Sequence, residues 1–328
     1  MILPVIQANL LWYHWLIIGV GIFIFVSLVV GIALIVETAR RVYLHTLSKR
    51  MAKEGSWGRV CSAPDNPEQM KMWNDGIEYM SQFQDKKEDV QIENDGLKLY
   101  GEFYNFGAKK TALFLCGRCE CLMYAYYYAK PYIESGLNVL FIDPRAHGLS
   151  DGEFSTVGIK ESEDALAWMK YLKETKGQEK FVLHCLCVGG SAGLLAVTSK
   201  NNTDLVEKIV LDGVFINFLD SYRRHYVDLG HKVFPVFYLI WMWFRIYTKV
   251  SVKQSSPINL VPNVHIPVLF IHTRNDKFSV PENAVKVFDA CASKEKTFVW
   301  FDEGTHSHIR NHAMAKYDSA IKDFLTKK

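Results

Sequence analysis

The chain has 328 residues, of which 49% are hydrophobic and 22% charged, with a formal net charge of +3. That length allows one large α/β domain plus an appendage. A charge this close to balance, with no dense basic run, argues against a nucleic-acid partner. The seven cysteines are odd in number and lie mostly in apolar, strand-like settings. That suits reduced thiols in a cytosolic setting better than a disulfide framework.

Leu16 to Val36 is an uncharged apolar run, about the ~20 residues that cross a bilayer. Trp12, Tyr13 and Trp15 at its start form an interfacial belt. The run is too long for a signal peptide and lacks a basic n-region. No Lys or Arg precedes it, whereas Arg40, Arg41, Lys49, Arg50 and Lys53 follow. The positive-inside rule then predicts a single-pass membrane protein with its main domain in the cytoplasm. The expected division is an N-terminal segment 1–36, a basic linker with an amphipathic helix 37–87, and the main domain 88–328.

Asn66-Pro67 predicts a helix start, with Asn66 as N-cap and Gln69 closing a capping box. Val90–Glu93 and Leu97–Tyr100 alternate around Asn94-Asp95-Gly96, which predicts a β-hairpin. Ala112–Cys116 reads as a buried strand, followed by a tyrosine-rich helix from about Met123 to Ser135. Asn138–Asp143 is a strand, Pro144–Gly152 a turn-rich loop, and Gly158 to about Lys173 a helix. Phe181–Leu186 is a further strand, turning at once into a helix of small residues and leucine. Strands follow at Lys208–Asp212, Ile266–His272 and Thr297–Phe301, with helices at Glu282–Ala292 and from about Ala313 to Leu325. Strands alternating with helices predict an α/β fold, its mostly parallel sheet covered on both faces. An apolar, aromatic insertion at about 215–256 reads as a small cap that either binds an acyl chain, dips into a membrane surface, or packs on the core.

Several segments, in order, resemble the α/β-hydrolases over roughly residues 88 to 326. Leu115-Cys-Gly117 stands where that family has an apolar strand ending in His-Gly. Asp143-Pro-Arg-Ala-His-Gly-Leu-Ser-Asp-Gly152 resembles its Asp-x-Arg-x-His-Gly-x-Ser-x-Gly loop, and Leu183-His-Cys-Leu-Cys-Val-Gly-Gly190 its nucleophile turn. Ile271-His-Thr-Arg-Asn-Asp276 with Val280-Pro281 resembles the acid loop, and Gly304-Thr-His306 the histidine loop. The similarity is greatest to membrane-anchored bacterial members related to the prolyl-oligopeptidase and lipase lineages. In such proteins His147 and His184 would be structural.

The resemblance implies a triad of Cys187 as nucleophile, His306 as base and Asp276 as the orienting acid, in the chain order this fold uses. Cysteine replaces the usual serine, for which dienelactone hydrolase is a precedent within the superfamily. A cysteine beside a helix N-terminus and a histidine readily forms a thiolate. The backbone N–H groups of Val188 and Arg118 would stabilise the oxyanion. Ser191 is the rival nucleophile: Gly189-Gly-Ser-Ala-Gly193 is literally Gly-x-Ser-x-Gly, whereas Cys187 is preceded by Cys185 where the family has glycine. The expected activity is hydrolysis of an ester or thioester, possibly of a lipid, with no cofactor and no metal. The alternative is an inactive relative that binds a lipid or a protein.

Overall fold

The structure, a computed structural model, describes residues 12–49, 67–202 and 204–327. The expected N-cap Asn66 and the basic residues Arg50 and Lys53 lie outside them.

The chain begins with helix α1 (Trp12–Leu47) and then α2 (Pro67–Ser81). Strands β1 (Lys87–Asn94) and β2 (Leu97–Tyr104) form the expected hairpin. Its two-residue turn puts Asp95 and Gly96 at φ 54° and 72°, the backbone a type I′ turn requires. After β3 (Lys110–Leu115) the tyrosine-rich segment breaks into α3 (Leu122–Ala125), a 3₁₀ turn over Tyr126–Tyr128, and α4 (Lys130–Glu134). The single helix expected there is thus not continuous. Pro131 provides no amide for a ladder, and it begins a new helix at a position where none is needed.

The remaining elements are β4 (Asn138–Ile142), α5 (Ile159–Lys176), β5 (Lys180–Leu186), α6 (Val188–Thr198), β6 (Val206–Asp212), α7 (Phe218–Asp228), α8 (Val236–Thr248), α9 (Pro257–Leu260), β7 (Val268–Thr273), α10 (Pro281–Ala290), β8 (Lys296–Phe301) and α11 (Ile309–Thr326). Helix α11 starts four residues earlier than its sequence pattern suggests and kinks at Ala313.

The eight strands form one sheet in the order β1-β2-β4-β3-β5-β6-β7-β8. Only the pairings of β2 with β1 and β4 are antiparallel. Strand β5 is therefore central, and side chains from its two faces enter two different cores. Phe181, Leu183 and Cys185 join Trp168, Met169 and Leu172 of α5. Val182 and Leu186 join Tyr132, Tyr317 and Phe324 on the other face. Two covered faces explain why the strands read as continuous apolar runs.

A third cluster lies above the carboxyl end of the sheet. It joins Ala39, Tyr43, Leu44 and Leu47 of α1 to Phe218 and Tyr222 of α7 and to Phe237, Ile240 and Phe244 of α8. Cys187 and Val188 are in the same cluster. Side chains of α1 from Leu16 to Leu34 are instead largely exposed, and this part is long and apolar enough to cross a membrane. The C-terminal end of α1 is stitched into the domain. Lys49 N–H donates to the Glu153 carbonyl at 2.8 Å and Ser155 N–H to the Leu47 carbonyl at 3.0 Å. Lys49 Nζ donates to the carbonyls of Gly148 and Ser150 at 2.9 and 2.7 Å.

Candidate active site

Strand β5 ends at Leu186 and α6 begins at Val188, so a single residue makes the turn. That residue is Cys187, at φ 50° and ψ −110°. A non-glycine residue at positive φ is strained, and such strain is retained only where neighbours over-determine it. Here they do: Cys187 N–H donates to the Asp212 carbonyl at 3.0 Å, and its own carbonyl accepts from Gly190 N–H at 3.0 Å. The turn also brings helix and strand very close. A Cβ on Gly189 would lie 2.0 Å from the Leu115 carbonyl oxygen, so only glycine fits.

The position two residues before the turn is filled by Cys185, where the resemblance to the α/β-hydrolases implies glycine. Its sulfur takes the space that a Cβ on Gly193 would occupy, 2.4 Å away. Small size has moved from the strand to the helix. Ser191 lies inside α6, fully buried, and its hydroxyl donates to the Ser255 carbonyl at 2.7 Å. It is not at the turn.

Asp276 and His306 come together from the loops after β7 and β8. His306 Nδ1 lies 2.6 Å from Asp276 Oδ2, while Asp276 Oδ1 accepts the N–H groups of Phe278 and Ser279 at 2.9 and 2.7 Å. With a carboxylate at Nδ1, that nitrogen carries the proton. Nε2 is buried with no hydrogen-bond partner at ordinary geometry among the described residues. Burial opposes charge on this imidazole, but the nearby Cys187 sulfur and Asp276 carboxylate outweigh it and hold the pKa well above the usual histidine range. Burial likewise opposes charge on Asp276, yet His306 and the amide bonds keep its carboxyl below its ordinary value. Cys187, His306 and Asp276 are therefore brought to one place, and Ser191 is not.

Val188 is the first residue of α6, where a helix does not use its own amide. Across from it runs the loop after β3. Gly117 N–H donates to the Glu120 carboxylate at 2.7 Å, and Cys119 N–H to His147 Nε2 at 3.3 Å. Between them sits Arg118, whose guanidinium reaches the Thr46 carbonyl of α1 at 3.4 Å. His147 Nδ1 donates in turn to the Arg145 carbonyl at 2.9 Å, and Arg145 makes a two-pronged pair with Asp164 at 2.7 Å on each prong. The Asp-x-Arg-x-His motif thus fixes a loop from beneath.

His184 lies under the site between Tyr132 and Tyr317, 2.7 Å from the Tyr132 hydroxyl. Burial depresses its pKa to about 3, so it is neutral. Tyr317 donates to Asp212 at 2.6 Å, and burial raises the Asp212 carboxyl to about 7.

Two contributors escape a reading of sequence motifs. The imidazole of His306 lies flat enough on Gly213 that a Cβ there would meet its Cε1 at 3.0 Å. Glu120 is partly buried and senses the charge of His306, and desolvation raises its pKa. The sole sequence signal for Gly213 is its place directly after β6; for Glu120 there is none. Among the described residues, no group of His, Cys, Asp and Glu side chains is arranged to hold a metal.

No family model matches the chain. It is 27% identical over 179 residues to the protein bem46 of Schizosaccharomyces pombe, a match covering 54% of each chain. It is 24% identical to the uncharacterized membrane protein YNL320W of Saccharomyces cerevisiae, over 72% of this chain and 78% of that one. The match to the uncharacterized protein YqkD of Bacillus subtilis, at 20% identity, covers 65% of that protein. The chain thus spans about half to two thirds of the length of bem46 and YqkD. Among solved structures, the esterase Pf2001 of Pyrococcus furiosus superposes with a TM-score of 0.62 at 21% identity, over 76% of this chain and 92% of that one. The strand order, the turn at Cys187 and these likenesses agree: the chain has the α/β-hydrolase fold.

Proposed function

We propose that the protein is a membrane-anchored hydrolase that transfers the acyl group of an ester or thioester to water through Cys187, His306 and Asp276. The observation that carries this reading is the strained Cys187 turn beside an imidazole whose other nitrogen is already held 2.6 Å from a buried carboxylate.

In the proposed cycle His306 is protonated and Cys187 is a thiolate. The sulfur attacks the acyl carbonyl, and the C=O π pair moves onto oxygen, where the amides of Val188 and Arg118 stabilise it. As the tetrahedral adduct collapses, the bond to the leaving alcohol or thiol breaks and His306 gives that group its proton. Water then attacks the acyl-cysteine, with His306 taking its proton and the thiolate leaving. Asp276 holds the tautomer throughout. The chemistry needs no cofactor. Support for the anchor is the exposed apolar length of α1 and the likeness to a protein described as a membrane protein.

The test is alkylation of Cys187 by iodoacetamide at pH 7, read by peptide mass against the denatured chain. Wild-type labelling should be at least about tenfold faster than in the denatured chain, and His306→Ala should slow it by about a hundredfold. A wild-type rate no faster than that of the denatured chain overturns the proposal and favours a non-catalytic binding protein. Fluorophosphonate labelling at Ser191 transfers the role to that residue.

A further inference from the structure

Helix α8 has two apolar faces, and the domain uses only one. Phe237, Ile240 and Phe244 are buried in the cluster that also holds Cys187. Tyr238, Met242 and Ile246, spaced four apart on the opposite side, are exposed, and Phe234 just before the helix is 80% exposed. A continuous exposed apolar stripe of this kind calls for a partner.

The position of α8 relative to α1 identifies that partner. Trp243 Nε1 donates to the Val36 carbonyl at 3.1 Å, where the apolar run of α1 ends. Four residues on, Tyr247 stacks on Tyr43 with ring centroids 5.4 Å apart. The contacts step along both helices in the same direction. Phe234, Tyr238 and Met242 therefore lie on the span side of the Trp243–Val36 contact, level with the end of the span. Arg245 of α8 and Lys249 just after it are exposed next to Ile246, whereas Arg40 and Arg41 of α1 are paired with Glu37. Apolar side chains on the span side with cations next to them are what an anionic lipid surface matches. A groove of about 590 Å³ adjoins the stripe, lined by the apolar Phe237, Trp241 and Phe244 and by the charged Asp220, Arg223 and Arg245.

We infer that α8 is a lipid-facing helix: its Phe234, Tyr238, Met242 and Ile246 stripe sits in the bilayer surface beside α1, and the adjoining groove draws a lipid acyl chain from that surface. This rests on the proposed anchor, and it narrows the substrate of the proposed hydrolase to acyl groups borne by the membrane. One helix then separates lipid from Cys187.

The full chain is reconstituted in nanodiscs of phosphatidylcholine and phosphatidylglycerol containing tritiated phosphatidylcholine, with a benzophenone amino acid at one position at a time. Position 242 tests the stripe, position 22 on α1 tests the anchor, and position 170 on the exposed side of α5 is the control. Lipid adducts at 22 and 242 but not at 170 are expected. An adduct at 22 with only control-level signal at 242 overturns the inference and leaves the anchor standing. Control-level signal at 22 overturns the anchor and the inference with it. A second readout compares a long-chain thioester in the nanodiscs with a short water-soluble one. The Met242→Asp, Ile246→Asp double variant should lower the ratio of long- to short-chain turnover by about tenfold; an unchanged ratio overturns the acyl route.

Discussion

Cys185 sits where the resemblance to the α/β-hydrolases implies glycine, and the space its sulfur needs is left free by one glycine on the next helix. The sulfur occupies the volume next to Gly193 that any Cβ would need. The two positions are therefore a matched pair. Gly193→Ala should cost roughly 1–3 kcal/mol through overpacking. Adding Cys185→Gly should return most of that, so the pair departs from additivity. Urea unfolding of the four proteins in a double-mutant cycle measures it; additive losses would mean that the two side chains do not share the space. Gly213 works differently. Its missing Cβ makes room for the His306 ring, and its φ of 68° strains other residues, so a substitution there acts on the site and on the fold together.

At the level of the helix, the junction between α1 and the cap is an aromatic joint. Tyr43 is fully buried among Phe154, Phe244 and Tyr247, and Thr46 Oγ1 lies 3.0 Å from the Tyr222 hydroxyl. Tyr43→Ala opens a cavity of aromatic size, for which a loss of about 3–5 kcal/mol is typical. Differential scanning fluorimetry in detergent should show a drop in Tm for Tyr43→Ala and almost none for Ile24→Ala, whose side chain meets no part of the domain. Equal shifts would place the folding energy of α1 elsewhere. None of this joint is visible in the sequence. Residues 43 and 247 are linked by no local period, and α1 reads from its composition alone as a span followed by a basic linker. The break in the tyrosine-rich segment was, by contrast, open to inspection at Pro131, whose ring cannot continue a helix from the preceding turn.

The sheet as a whole follows from alternation. Every strand placed by its apolar run is present within a few residues, because both faces of the sheet are covered and the pattern has few ways to be misread. Cys187, His306 and Asp276 are legible in the sequence only as the positions that the resemblance to the α/β-hydrolases singles out. The side-chain network beneath them could not, since it is made by residues far apart in sequence. That network has a pH signature. The buried carboxyls of Asp143 and Asp212 are raised to about 6 and about 7. The unfolded chain then binds fewer protons than the native one between the ordinary carboxylate range and about 7, so stability falls as pH rises through that window. His306, whose pKa is raised, adds stability that is full below its unfolded pKa and lost as pH climbs through the folded one. Asp276 has the opposite sign, and its contribution is lost as pH falls through its lowered folded pKa. Asp212→Asn keeps an acceptor for Tyr317 and removes one titration. Its Tm should gain on the wild type at pH 8 more than at pH 5, and parallel Tm curves would assign the pH response to other groups.

The bonds from Lys49, Leu47 and Ser155 that fasten the end of α1 to the domain make the proposed anchor a mast instead of a leash. A domain on a leash samples a hemisphere of solution and meets its substrate by volume concentration. A domain on a mast keeps one height and one heading above the membrane plane, and its encounters depend on molecules per unit area. Diluting the surrounding water would then leave its work untouched, whereas diluting the substrate among other lipids would slow it.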